Sequence, residues 1–125
     1  MLMRLACTLA FAICLLVPSV APNVARAGCA DEISRLMSKD TERMLSQYQR
    51  VTRRIEREGS NPSLRAEECR IAKQLEPQLA NQIAAIRQSS CRRDPNAANM
   101  VADIVRGHED DLASVRRVTA QADCK

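Results

Sequence analysis

Apolar residues recur along most of the chain in steps of three and four, the period of an α-helix that buries one face. The first stripe, with Thr41 included, is Ile33, Met37, Thr41, Met44, Leu45, Tyr48, Val51 and Ile55. It predicts a helix over 32–57, with Asp31 as N-cap and Arg53, Arg54 and Arg57 complementing the C-terminal end of the dipole. Leu64, Ile71, Ala72, Leu75, Leu79, Ile83 and Ile86 form a second stripe and predict a helix over 63–90. Val101, Ile104, Val105, Leu112, Val115 and Val118 predict a third over 95–122, with His108 in phase with the stripe.

Two polar clusters separate these segments: 58–62, ending in Asn61-Pro62, and 92–96, containing Asp94-Pro95. Each Asx-Pro step suits an N-cap followed by proline at the first helical position. Pro77 lies inside the second segment, where it removes a backbone hydrogen bond and clashes with the carbonyl four residues back. The apolar phase continues across it, which predicts a kink rather than a turn. The expected fold is all-α: an antiparallel three-helix bundle, up-down-up, with a kinked second helix.

The N-terminus follows a different pattern. Leu5 to Val17 is apolar apart from Thr8, and its 13 residues are fewer than the roughly 20 a membrane-spanning helix needs. Arg4 precedes the run, Pro18, Pro22 and Asn23 break it, and Ala25-Arg26-Ala27 fits an A-x-A cleavage site. Residues 1–27 are therefore expected to be a cleaved secretory signal peptide, leaving 28–125 as a single helical domain without a transmembrane span. Ala27-Gly28-Cys29 resembles the end of a lipobox, but Arg26 stands where that motif places an aliphatic residue.

Cleavage changes the composition. Loss of Arg4 and Arg26 lowers the 19 basic residues to 17 against 15 acids, so the formal charge falls from +4 to +2. That is a weak signal for nucleic acid. With no Trp, one Phe and one Tyr, the chain has no aromatic cage or stacking platform, and three Gly supply no phosphate-binding loop. Residues 28–125 hold 37 apolar side chains, of which 21 are Ile, Leu, Val, Met or Tyr. A core this thin calls for covalent staples.

Four cysteines remain after cleavage: Cys29, Cys69, Cys91 and Cys124. An even number without a C-x-x-C pair reads as two disulfides in an exported chain. In an up-down-up bundle Cys29 and Cys91 fall at one end, Cys69 and Cys124 at the other. Joining Cys69 to Cys91 would span about 33 Å of one helix, whereas a bridge needs Cα atoms within about 7 Å. The expected pairs are Cys29–Cys91 and Cys69–Cys124.

His108 and Asp111, three residues apart on one helical face, are the one pair suited to a metal or a proton relay. A single His, no G-x-S-x-G turn, and adjacent carboxylates that point apart give no catalytic set. No enzymatic activity, catalytic residue or cofactor is expected. Arg50, Arg53, Arg54 and Arg57 share one face and, with Arg35, Lys39 and Arg43, extend a cationic stripe suited to an anionic partner. The sequence points to a periplasmic or secreted binding protein of adaptor, inhibitor or chaperone type. Its expected partner is another envelope or extracellular protein, with an anionic surface as an option and specific nucleic acid excluded. A carrier of a small ligand or metal near Pro77 or His108 is the alternative.

Overall fold

The computed structural model describes residues 22–125, with side chains described from Gly28 onward. Arg4, the apolar run and Pro18, on which the signal-peptide expectation rests, lie outside the described residues. Four helices follow: α1 (Pro22–Leu36), α2 (Lys39–Glu58), α3 (Pro62–Gln88) and α4 (Ala98–Thr119). Short 3₁₀ turns, Ser90–Arg93 and Ala122–Cys124, follow α3 and α4.

The three long helices form the all-α, up-down-up bundle, and their side-chain contacts give its register. Ser38 and Thr41, at the start of α2, reach Gln82 and Gln78 on α3. Arg116 and Thr119 on α4 reach Glu76, and Arg65 reaches Gln121. Numbers that fall on one helix as they rise on the next mean that both neighbours run antiparallel to α3. Tyr48 and Ser114, on the parallel pair α2 and α4, meet across the bundle at 3.1 Å.

Helix α3 is the inner element. Leu75, Leu79 and Ile86 are completely buried. They belong to a stripe whose every expected member, from Leu64 to Ile86, lies inside. Burying such a side chain stabilises by about 1.5–3 kcal/mol. One apolar cluster joins Tyr48 and Val51, the middle of α3, and Leu112, Val115 and Val118. A second joins Cys29, Ile33, Ile86, Cys91, Ala97 and Val101. Helix α3 runs unbroken through Pro77, which faces solvent.

The disulfides pair as the bundle geometry requires. Cys29 is bonded to Cys91 and Cys69 to Cys124, with Cα separations of 5.5 and 5.4 Å. Each bridge lies in or against one of the two apolar clusters. Glu32 reinforces the first by accepting hydrogen bonds from Ser89 and Ser90 at 3.2 and 3.4 Å.

Three expected boundaries are corrected. The helix expected over 32–57 is two helices, broken at Met37 and Ser38. Ser38 is extended, and its hydroxyl accepts from the Thr41 N–H, so it caps α2 in the way expected of Asp31. Asp40 and Glu42 in the first turn complement the dipole at this start. Pro22 stands at the first position of α1, where its missing N–H is not needed. The expected cleavage point after Ala27 therefore lies within α1.

Asn61 caps α3 as expected, accepting from the Leu64 N–H at 2.9 Å with Pro62 at the first helical position. Asp94 does not do the same for α4. Its side chain accepts from the Asn96 N–H, which holds 95–97 in a turn, and α4 begins at Ala98. At the other boundary Gly59, with φ of 85°, ends α2 in a conformation that favours glycine.

The bridges close spans of 62 and 55 residues, so each removes much of the freedom of the unfolded chain. Cys29→Ser with Cys91→Ser should lower unfolding free energy by about 3–4 kcal/mol, measured by urea denaturation. A loss below about 1 kcal/mol would contradict a thin core that depends on staples.

Candidate functional site

Helix α2 separates its residues into two opposite faces. Thr41, Tyr48 and Val51 are buried, with Met44, Leu45 and Ile55 packed beside them. At about 100° per residue, Lys39, Arg43, Arg50, Arg53, Arg54 and Arg57 fall on the opposite side. All six are exposed. Arg43 pairs with Asp40 and Arg54 with Glu58, both at 3.3 Å. Arg50, Arg53 and Arg57 make no ion pair among the described residues. These three arginines stand exposed on a helix capped at both ends.

Arg35 does not belong to this face. It lies on α1, beyond the Ser38 break, and its Nε donates to the Asp31 carbonyl at 3.2 Å. The cationic surface therefore starts at Lys39 and is densest over the last two turns of α2.

His108 and Asp111 are both half-buried on α4 and belong to a polar layer across the bundle. Gln82, only 5% exposed, is its centre. The Ser38 backbone N–H donates to Gln82 Oε1 at 3.0 Å, and Gln82 Nε2 lies 3.3 Å from His108 Nε2. A backbone N–H can only donate, so the amide oxygen must face Ser38 and the amide nitrogen must face the imidazole. His108 Nε2 is thus the acceptor, and the neutral ring carries its proton on Nδ1. Nearby, Thr41 donates to Gln78 Oε1 at 3.0 Å.

Burial raises the Asp111 carboxyl above its ordinary range. When His108 is protonated its charge opposes that rise, the Asp110 carboxylate adds to it, and a hydrogen bond with Gln49 also opposes it. The residue that reaches His108 from another helix is an amide, not the carboxylate a metal site needs. No group of three or more His, Cys, Asp or Glu is placed to hold a metal among the described residues.

Gln82 and Gln78 were missed as site residues, although a signal for them exists. They stand three positions after Leu79 and Leu75, in phase with the buried stripe of α3, where an apolar side chain is the norm. No described helix is long and apolar enough to cross a membrane. Comparison with protein-family models, with curated proteins and with solved structures finds no match to this chain.

The layer gives two expected results. Long-range ¹H–¹⁵N NMR should show the neutral His108 ring protonated at Nδ1; a majority of the Nε2–H form would contradict the Ser38–Gln82–His108 relay. Asp111, with its folded pKa raised, holds its proton more tightly in the folded chain than in the unfolded one. Its contribution is fully present below the unfolded pKa and is lost as pH rises through the raised folded value. The urea midpoint of Asp111→Asn should accordingly rise relative to the unsubstituted protein across the acid window that opens at the ordinary aspartate value of about 3.9. A difference that stays flat or falls over that window would argue against it.

Proposed function

We propose that this chain is an exported, non-enzymatic helical binding protein of adaptor, inhibitor or chaperone type. Its outer α2 face docks on an acidic surface of another envelope or extracellular protein. The observation that carries this reading is the triplet Arg50, Arg53 and Arg57, exposed and without ion-pair partners on the side of α2 opposite the core. Arginine forks bind carboxylates in two-point geometry, and a rigid helix presents them without ordering a loop.

Export is supported by two disulfides, which persist in the periplasm or outside the cell, and by the pattern of the N-terminal segment. A binding role rather than catalysis is supported by the residue complement. The single His is held in a structural relay by Gln82, and every cysteine from Cys29 onward is bonded. For the carrier alternative, Pro77 faces solvent while Leu75 and Leu79 beside it are fully buried. That arrangement favours the surface reading over an opening there.

A solvated helix face would bind nothing, so the two cases separate experimentally. The oxidised protein should be retained on a polyglutamate matrix at low salt and released at moderate salt. Arg50→Glu, Arg53→Glu and Arg57→Glu together should weaken retention by about tenfold or more. Free polyglutamate should compete with the natural partner from envelope extract for this face. Retention indifferent to salt and to the three substitutions would reject the reading.

A further inference from the structure

On the side of the bundle formed by α3 and α4, a groove of about 660 Å³ runs along their seam. Its floor is made of small and apolar side chains: Ala80, Ile83, Ala84, Leu112, Ala113 and Ala120. Ala84, Ala113 and Ala120 are exposed. No described element covers this seam, and the small side chains on its floor let another helix approach closely.

The charges around Ala113 are what identify the occupant. Glu109 and Asp110 stand four and three positions before Ala113; Arg116 and Arg117 stand three and four after it. The pattern has opposite signs at equal distances from one small residue. At about 100° per residue, Glu109 and Arg116 fall some 40° and 60° to one side of Ala113. Asp110 and Arg117 fall about 60° and 40° to the other side.

We infer that the outer α4 face is a self-association surface whose partner is a second copy of this chain, with the two α4 helices antiparallel and Ala113 at the two-fold axis. A two-fold axis perpendicular to the helices reverses height and keeps each edge on its own side. Glu109 then lies beside the partner's Arg116 on one edge, and Asp110 beside the partner's Arg117 on the other. Symmetry doubles both contacts. The parallel arrangement sets like charges side by side, so the pattern also selects the direction.

The existing ion pairs agree with this assignment. Glu109 is bonded to Arg87 and Arg116 to Glu76 at 3.3 Å, both across the groove to α3. These pairs hold the groove-side charges in place. Asp110 and Arg117, on the other edge, make no ion pair among the described residues. The two charges left open in one copy are the two that the second copy supplies with opposite signs. This surface is distinct from the α2 face and does not depend on its role.

Asp110 and Arg117 permit a test that leaves the intrachain pairs intact. Asp110→Arg sets two basic side chains against each other across the axis, and Arg117→Glu sets two acidic ones. Sedimentation equilibrium of the oxidised protein at low salt should show a dimer that weakens about tenfold or more in moderate salt. Each variant alone should weaken it by a similar factor, and an equimolar mixture of the two should restore a heterodimer. Helical circular dichroism unchanged in both variants separates lost association from lost folding. A monomer up to millimolar concentration would overturn the inference. So would a dimer indifferent to both substitutions, or a mixture that stays monomeric.

Discussion

Burial of the α3 stripe between α2 and α4 is the contact on which the molecule depends. The side chains available for this are few and of moderate size. Tyr48 is the only aromatic residue in the apolar cluster, and most of the remaining volume is Leu, Ile and Val. Only α3 is lined along its full length by completely or nearly completely buried residues. The flanking helices contribute less: Met44, Leu45, Ile55 and Val105 are only partly covered. Short side chains on the outer seam, Ala84 and Ala113 among them, follow from the same economy. An element whose one face is already packed needs little bulk on the other.

The all-helical class, the core stripes and the bridge pairing were legible in the sequence because each rests on a strong local or geometric rule. The stripe of α3 keeps its phase from Leu64 to Ile86, and the distance limit on a disulfide leaves one pairing for an up-down-up bundle. The break at Ser38 was not legible from periodicity, since Met37 and Thr41 stay in phase on either side of it. Its cause is tertiary: the Ser38 N–H, freed at the end of α1, is taken by Gln82, forty-four residues away. The late start of α4 has a local cause instead. Asp94 can cap a helix or close an Asx turn, and its side chain closes the turn on Asn96. Of the candidate site, the arginine face was visible as spacing, while the position of Arg35 depended on the unseen break.

The polar layer and the charged faces differ in what they do. Gln82 is buried with both ends of its amide engaged, which makes it a register pin: sliding α4 by one turn would leave His108 and the amide unpaired. The outer face of α2 carries its charge into solvent, where it adds little to folding. The acidic and basic pairs of α4 combine both roles, with one member of each pair fixed to α3 and the other exposed. Specificity of fold lies inside the bundle, and both proposed binding surfaces lie on its outside.

The two disulfides interleave: Cys69 lies within the span closed by Cys29 and Cys91, and Cys91 lies within the span closed by Cys69 and Cys124. Any single peptide bond cut between Cys29 and Cys124 therefore has at least one sulfur bridge crossing it. Two consecutive bridges would not give this; a nick in the stretch between their loops would release half the chain. A protease that clips one exposed turn, such as Gly59-Ser60 or Pro95-Asn96, leaves both fragments covalently joined and able to stay docked on α3.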